Sequence, residues 1–258
     1  MLRTAELAGL LDRSMSVLVV AGGGYDRDTF LELGYQNVTI SNVDVSGAGG
    51  SDFSPYSWSL QNSERLTVPD SSYDVVVVHA GLHHCRSPHA ALAEMYRVAR
   101  SAVIVIEARD SFVMRLGVKL GLTPKYEIEA VVDHDYAGGG VENSPLPNFV
   151  YRWTETEVDK VVRSLDPSGP PRIQYIYGLR LPLQRLKMKR DSLLPLIVSG
   201  LAVIARAGQL LFPRQGNCFG FIVAIPTPTS PAFPWINRED RSRADPAWCE
   251  RRYRKAVR

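Results

Sequence analysis

The stretch from Ser16 to Asp44 limits the fold of this chain more than any other part of the sequence. It begins with the apolar run Val17–Val20, whose length and β-branching are typical of a strand buried on both faces. Three consecutive glycines follow, then a short helical pattern over 28–33 and a second strand that ends at Asp44. The order of strand, glycine turn, helix, strand and acid predicts an α/β unit with a crevice at the carboxyl end of its first strand.

The glycine turn and Asp44 indicate what this crevice holds. Glycines lack a Cβ, so a ligand can come close to the backbone at the end of the first strand. Asp44 lies about 20 residues beyond the turn, where an acid can accept hydrogen bonds from two ribose hydroxyls. A pyrophosphate-binding G-x-G-x-x-G would need glycine at position 27, which is Arg27. We therefore expect a nucleoside ligand, and the sequence disfavours a dinucleotide.

A second informative stretch runs from Leu66 to Glu107. A polar turn precedes a buried strand at 75–78, and the loop 80–87 contains the adjacent histidines His83 and His84. Ser87 predicts the N-cap of a helix that begins at Pro88, and another buried strand covers 101–106. The histidine loop thus follows a strand directly, at the edge of the sheet where the crevice is expected.

These two stretches resemble class I S-adenosylmethionine-dependent methyltransferases. The glycine turn resembles motif I of that class, while Leu66–Asp74, Leu82–His84 and Ala91–Val98 are similar to its ubiquinone/menaquinone-biosynthesis-like branch. The resemblance covers roughly 17–107. It implies a Rossmann-like, doubly wound, mostly parallel sheet whose final strand is antiparallel, with S-adenosylmethionine as cofactor and S-adenosylhomocysteine as product.

The resemblance also implies which residues contact the cofactor. Asn62 lies where an acid of that family contacts the adenine amino group, and its side-chain oxygen can accept the same hydrogen bond. The predicted cofactor contacts are Ala21, Gly22, Gly23, Gly24, Asp44, Asn62, Ser63, His79 and Ala80. The Gly-, Ser- and Pro-rich stretch between Ser46 and Ser59 is expected to be a loop that borders this site.

The chain beyond Glu107 leaves the shared core and is expected to shape the site for the methyl acceptor. We predict a methyltransferase domain over 1–225 whose helical and loop insertions, at about 108–153 and 180–214, form a cap over the acceptor. A Pro-rich linker and a basic tail follow at 226–258. The predicted acceptor contacts are Glu142, Asn143, Asn148, Tyr151, Arg152 and Trp153.

Histidines are the candidate catalytic residues. A hydroxyl acceptor must lose a proton when it attacks the methyl group, and a nearby base assists this step. His84 is the leading candidate, with His83 beside it and His134, which lies between two aspartates in the first insertion, as further candidates. No residue is assigned to a metal, and any metal requirement stays open. We expect O-methylation of a small-molecule, sugar or lipid-linked acceptor.

Two alternatives to methyl transfer stay open. The first is an NAD(P)-dependent oxidoreductase, which would also use a glycine turn followed by an acid. The second is a catalytically inactive binding module with the methyltransferase fold, because Val19, Ala21, Tyr25 and Asn62 depart from the usual family pattern. Measurable binding of a demethylated cofactor would separate these alternatives from the main prediction.

Charge and cysteine content bear on partners and location. The formal net charge of +3 is too small to indicate a nucleic-acid partner. Three widely separated cysteines are typical of a reducing compartment, so we expect a cytoplasmic protein. The stretch 180–212 combines basic residues with an apolar run. We interpret it as a buried helix or one that faces a second copy in a homodimer, with peripheral membrane or lipid contact as the alternative.

Overall fold

The fold is taken from a computed structural model that describes residues 1–44, 51–180 and 205–253. Within these residues, seven strands form one sheet in the order β3-β2-β1-β4-β5-β7-β6. The strands are β1 (Val17–Val19), β2 (Val38–Asn42), β3 (Ser57–Leu60), β4 (Tyr73–His79), β5 (Ala99–Ala108), β6 (Arg172–Gly178) and β7 (Cys218–Ala224). The pairs from β3 to β5 are parallel, and β7 is antiparallel to both β5 and β6. This confirms the predicted Rossmann-like, mostly parallel sheet with an antiparallel final strand.

Helices cover both faces of the sheet. They are α1 (Leu2–Leu7), α2 (Gly24–Leu33), α3 (Pro88–Val98), α4 (Phe112–Lys119), α5 (Ile128–Asp133) and α6 (Glu155–Leu165), with a C-terminal helix at Pro246–Tyr253. The predicted cap of α3 is present, since the Ser87 hydroxyl accepts a hydrogen bond from the backbone N–H of Ala90 at 3.2 Å. The helix α2 begins at Gly24, four residues before the predicted start, because Asp26 accepts a hydrogen bond from the N–H of Gly23.

Two apolar cores form because successive side chains of a strand point to opposite faces of the sheet. On one face, Leu18, Val76 and Val103 pack with buried residues of α3 and α6. On the other, Val17, Val75 and Ala102 pack with residues from α1 and α2. Both faces of β1, β4 and β5 are therefore covered, as the continuous apolar runs of these strands indicate.

The structure corrects the prediction that 46–59 is entirely a loop. Residues 57–60 form the edge strand β3, while 45–50 lie outside the described residues. This strand pairs only with β2 along the sheet, and its side chains are half-buried or exposed. Its sequence S-W-S-L therefore has no buried apolar run from which a strand could be predicted.

The second insertion and the tail are described only in part. Residues 181–204 and 254–258 lie outside the described residues, so the helix predicted within 180–212 is described only at 205–211. Among the residues that the structure describes, no helix is both long and apolar enough to cross a bilayer. In the tail, the backbone N–H of Phe233 donates to the carbonyl of Ser168 at 3.0 Å, and Trp235 contacts Trp248.

Candidate active site

A cleft of about 270 Å³ lies at the carboxyl ends of the central strands. Two groups of residues line it. The first comes from the segments that follow β1 to β4: Ala21, Asn42, Val43, Asp44, Asn62, Ser63, Glu64, Ala80, Gly81, His84 and Cys85. The second comes from the first insertion: Ala130, His134, Gly139, Gly140, Glu142 and Asn143. One wall of the cleft is thus formed by the edge of the sheet, and the other is formed by the first insertion.

Close approach between two turns forms the floor of the cleft. Ala21 and Ala80 have positive φ angles of 49° and 53°, at the ends of the turns that follow β1 and β4. A Cβ at Gly81 would lie 2.6 Å from the Cβ of Ala21, so glycine is required for the two turns to touch. A Cβ at Gly22 would lie 2.8 Å from Cγ1 of Val19. Gly22 is therefore needed for packing under the cleft.

Asp44 and Asn62 lie at one side of the cleft, where the predicted adenosine contacts were expected. Asp44 lines the cleft just beyond β2, and its backbone N–H donates to the side-chain oxygen of Asn42 at 3.1 Å. Asn62 lines it after β3 and donates from Nδ2 to Oε1 of Glu142 at 3.3 Å. Its side-chain oxygen accepts from the N–H of Glu64 at 2.8 Å, which leaves a second lone pair of that oxygen to accept from a ligand.

Like Gly22, the predicted cofactor residues Gly23, Gly24 and His79 are not part of the lining of the cleft. Gly23 is the N-cap of α2, and Gly24 begins that helix. His79 ends β4, and its ring lies 5.3 Å from the ring of Tyr25, which is itself 71% exposed. A cofactor role for these three residues stays a prediction.

Glu107, at the end of β5, fixes the histidine turn. This residue is 3% exposed, and its Oε1 accepts a hydrogen bond from the backbone N–H of Leu82 at 2.7 Å. Its other oxygen lies 2.8 Å from Nδ1 of His83. The buried carboxylate thus sets both the backbone of the 3-10 turn Leu82–His84 and the orientation of its first imidazole.

His83 lies between two carboxylates. Its Nδ1 faces Glu107, and its Nε2 lies 3.1 Å from Oε2 of Glu127. Burial lowers the pKa of His83, but the charges and hydrogen bonds of the two glutamates outweigh burial and raise the pKa to about 10. The hydrogen bond from His83 in turn lowers the pKa of Glu127 to about 2. His83 thus carries a proton at neutral pH, which does not fit the predicted role of His83 as a base.

His84 faces the cleft in a different environment. Its Nδ1 lies 3.4 Å from the carbonyl oxygen of Gly140, and its Nε2 lies 3.6 Å from Oε2 of Glu127. Burial and the positive charge of His83 lower the pKa of His84. The two adjacent imidazoles, whose centroids are 4.5 Å apart, therefore differ in charge.

The first insertion brings His134, Glu142 and Asn143 to the cleft, and the catalytic role of His134 and the acceptor contacts of the other two stay predictions. The Nδ1 of His134 lies 2.7 Å from the carbonyl oxygen of Ala130, one turn earlier. Glu142 forms an ion pair with Arg86, and Asn143 accepts a hydrogen bond from the N–H of Gly139 at 2.9 Å. The ion pair with Arg86 ties the insertion to the loop that follows β4, whereas the other two contacts lie within the insertion.

The remaining predicted acceptor residues lie further along the insertion. Asn148 and Tyr151 line a second recess together with His83, and Asn148 is 1% exposed with an Oδ1 that has no hydrogen-bond partner among the described residues. Arg152 donates to the carbonyls of Val150 and Pro124. Trp153 is fully buried in the core. A side chain without exposed surface cannot contact an acceptor, so this prediction was wrong. It was made because Trp153 follows other aromatic and polar residues in the insertion, and the sequence did not indicate that this position is in the core.

Sequence reasoning missed Glu107 and Glu127. Glu107 was noted only as the end of a strand, and Glu127 lies in the insertion, 44 residues beyond His83. One signal could have found Glu107. It is an acid at the end of the buried strand β5, which lies next to β4 in the sheet, and β4 precedes the histidine pair. Burial also raises the pKa of the Cys85 thiol to about 12.

Comparison with known proteins relates part of the chain to a described family. Residues 21–106 match the family model described as a methyltransferase domain. A comparison with curated protein sequences finds no significant match. Solved structures share the fold. The YcgJ protein of Bacillus subtilis is 14% identical, with a TM-score of 0.51 over 88% of this chain and 97% of that one.

Two further solved structures have the same architecture. A protein of Thermotoga maritima described as a possible histamine N-methyltransferase is 13% identical, with a TM-score of 0.50 over 87% of this chain and 90% of that one. An S-adenosylmethionine-dependent methyltransferase of Archaeoglobus fulgidus is 9% identical, with a TM-score of 0.50 over 86% and 91%. The match to a methyltransferase domain covers residues 21–106, about a third of the chain, and the solved structures show that the fold is shared.

Proposed function

We propose that this chain transfers the methyl group of S-adenosylmethionine to a hydroxyl of a small-molecule, sugar or lipid-linked acceptor. The observation that carries the proposal is that one cleft is lined by Asp44 and Asn62 and also by His84. The first two residues suit the ribose and adenine of the cofactor. His84 lies where the sheet edge meets the insertion, so the acceptor oxygen is placed beside the histidine turn.

The reaction is a single displacement. The acceptor oxygen forms a bond to the methyl carbon while the bond from that carbon to sulfur breaks, and sulfur keeps the electron pair. The hydroxyl proton passes to a nearby base, the role predicted for His84, and the sulfonium becomes the neutral thioether of S-adenosylhomocysteine. Because the oxygen, carbon and sulfur must be nearly collinear, the rate depends on how rigidly the two substrates are held. The tight floor between Ala21 and Gly81 supplies this rigidity on the cofactor side.

The second recess supports an acceptor that carries hydroxyl groups. Its lining includes Asn148, Phe149 and Tyr151, and Cys85 lines both this recess and the cleft. Leaving a buried polar atom without a partner costs about 1–3 kcal/mol. The buried Oδ1 of Asn148 lacks a donor among the described residues, and a hydroxyl of the acceptor would supply one.

Calorimetric titration tests the cofactor assignment. The chain is expected to bind S-adenosylhomocysteine and to give no heat with NAD or NADP, whereas the reverse result would support an oxidoreductase. If neither ligand bound, the inactive binding module would be favoured.

A transfer assay tests the reaction itself. Purified protein would be incubated with methyl-labelled S-adenosylmethionine and panels of sugars, phenols and lipid-linked saccharides, and the products would be analysed by mass spectrometry. Methyl ethers among the products would support O-methylation. Methylation found only at amines would contradict the proposed acceptor class while leaving the methyltransferase assignment in place.

A further inference from the structure

We propose that His83, His84 and Glu127 bind one divalent transition-metal ion at the edge of the cleft. The proposal deepens the proposed function and rests on it for the role of the ion, although the binding itself can be tested separately. It would replace the direct role as a base that the sequence predicts for His84.

The three side chains converge on one point from two distant segments. The Nε2 atoms of His83 and His84 lie 3.1 and 3.6 Å from the same oxygen, Oε2 of Glu127. Ligand atoms of the three residues all lie within 4.8 Å of one another. Around a tetrahedral ion with bonds of about 2.1 Å, ligand atoms are about 3.4 Å apart. The two distances to Glu127 are close to this value, and the two imidazole nitrogens lie within 4.8 Å of each other, so a modest movement of the side chains would admit an ion.

The other ring nitrogen of each histidine is already held by an acceptor. His83 Nδ1 lies 2.8 Å from the buried carboxylate of Glu107, and His84 Nδ1 lies 3.4 Å from the carbonyl oxygen of Gly140. Metal-binding histidines nearly always have their second nitrogen hydrogen-bonded to a carboxylate or a carbonyl, which turns the first nitrogen toward the metal. Both imidazoles here have this arrangement.

The carboxylate is also held in place by its surroundings. The backbone N–H of Glu127 donates to the carbonyl of Asn148 at 2.9 Å. The side-chain Nδ2 of Asn148 donates both to Oε2 of Glu127, at 3.3 Å, and to the carbonyl of His83, at 3.1 Å. One amide therefore fixes Glu127 relative to the histidine turn, and a hydrogen-bonded carboxylate of this kind is expected at a metal centre.

An ion pair is the competing explanation for part of this geometry. A protonated His83 between Glu107 and Glu127 accounts for both contacts of that ring. It does not require that His84 also turn its Nε2 toward Glu127. The involvement of His84 therefore distinguishes a metal centre from an ion pair.

The donor set and position indicate the kind of ion and its use. Two imidazoles and one carboxylate suit Zn²⁺, Fe²⁺, Co²⁺ or Ni²⁺, and three protein ligands leave positions open for a further ligand. Because His84 lines the cleft, an ion that it binds would lie at the edge of the space proposed for the acceptor. An ion there would polarise the acceptor oxygen and promote loss of its proton.

Cobalt and zinc binding test the site without any assay of activity. The full chain is treated with EDTA, and Co²⁺ is added while visible absorption is recorded. Zn²⁺ binding is measured by calorimetry. We expect about one ion to bind per chain. We also expect the visible absorption bands that are typical of four-coordinate Co²⁺. Glu127→Gln and His84→Gln should each weaken Zn²⁺ binding by at least about tenfold. Asp133→Asn is the control, because it removes an exposed carboxylate from α5, the helix that directly follows Glu127. This variant should bind Zn²⁺ like the parent chain.

The outcomes separate this proposal from the proposed function. Absence of Co²⁺ and Zn²⁺ binding in the parent chain would overturn the metal centre, as would unchanged binding by His84→Gln, which would indicate only the ion pair of His83. S-adenosylhomocysteine is titrated in the same samples. If S-adenosylhomocysteine bound and the metals did not, the methyltransferase proposal would stand and the metal centre would be rejected. If the metals bound and S-adenosylhomocysteine did not, the metal centre would stand and the proposed function would be rejected. Circular dichroism confirms that both variants are folded.

Discussion

Gly81 and Ala21 touch across the floor of the cleft so closely that a Cβ on Gly81 would lie 2.6 Å from the Cβ of Ala21. A second close neighbour, Cγ2 of Val78, would lie 3.0 Å from the added atom. The two turns follow β1 and β4, which are adjacent parallel strands. The floor of the cleft therefore depends on a contact between residues that are 60 positions apart in the chain. The sequence of either turn alone does not determine this contact.

Gly81→Ala is expected to disturb this floor. The added methyl group must displace Ala21 or Val78, and such overpacking costs about 1–3 kcal/mol of unfolding free energy. S-adenosylhomocysteine should bind at least about tenfold more weakly, a loss of about 1.4 kcal/mol. Urea unfolding and calorimetric titration measure the two effects. Gly208→Ala, where an added Cβ meets nothing within 4 Å, should show neither loss. Unchanged binding by Gly81→Ala would mean that the cofactor does not contact this floor.

Asp44→Ala tests the assignment of the ribose site. If the carboxylate accepts hydrogen bonds from the ribose, its removal should reduce the binding free energy of S-adenosylhomocysteine by about 1.5–3 kcal/mol. Calorimetric titration gives the difference directly. The matched control is Asp28→Ala, which removes an exposed carboxylate of α2 and should leave the affinity unchanged. Equal affinities for Asp44→Ala and the parent chain would place the adenosine elsewhere.

The fold was predictable where the signal is local. The runs Val17–Val20 and 75–78 are apolar on both faces, so the central strands could be placed from sequence alone. The cap at Ser87 also depends only on neighbouring residues, and it is present. The strand β3 was missed because an exposed edge strand of four residues has no buried face to give its sequence a pattern.

The candidate site was predictable in part for the same reason. His84 and Asp44 were predicted because each follows a predicted strand, and the ends of parallel strands meet at one edge. Asn62 was predicted only from its position in the family resemblance, since the strand before it was missed. The arrangement around His83 was not predictable, since Glu107 and Glu127 reach it from positions 24 and 44 residues later. The packing of the insertion against the sheet determines which acids face His83. This packing cannot be predicted from a periodic pattern in the sequence.

Asp74 should give part of the stability a dependence on pH. Burial raises the pKa of this carboxyl, but hydrogen bonds from the backbone and hydroxyl of Ser16 and from Arg100 outweigh burial and lower it. A group whose pKa is lower in the folded chain stabilises the fold above its ordinary pKa of 3.8. This stabilisation is lost as the pH falls through the folded pKa.

The prediction for Asp74 can be measured with Asp74→Asn. The parent chain should lose unfolding free energy on acidification below about pH 5, and the variant should lose less over the same range. Urea unfolding at a series of pH values gives both curves. Asp28→Asn serves as the control and should follow the parent curve. If the curve for Asp74→Asn also followed it, the contacts with Ser16 and Arg100 would not stabilise the folded chain.

Arg109 and Arg163 both pair with an acid, but only the first pair is enclosed by the fold. The side chain of Arg109 is 7% exposed, donates to Glu155 and the carbonyl of Arg214, and lies about 5 Å above the ring of Phe219. Arg163 is half exposed and pairs with Asp159 one turn away on α6. Removal of one partner from a buried pair leaves the other without compensation for its lost hydration, whereas water replaces the partner of an exposed pair.

Arg109→Met should therefore lower the unfolding free energy by about 3 kcal/mol. Arg163→Met should be indistinguishable from the parent chain, because solvent screens its ion pair. Arg109→Lys should recover little stability, since an ammonium group cannot donate to Glu155 and the Arg214 carbonyl with the fixed geometry of a guanidinium. Urea unfolding of the three variants at neutral pH makes the comparison. Similar losses of unfolding free energy for Arg109→Met and Arg163→Met would mean that burial does not determine how much these ion pairs stabilise the fold. Arg109 would then not be an important link between β5, α6 and the segment before β7.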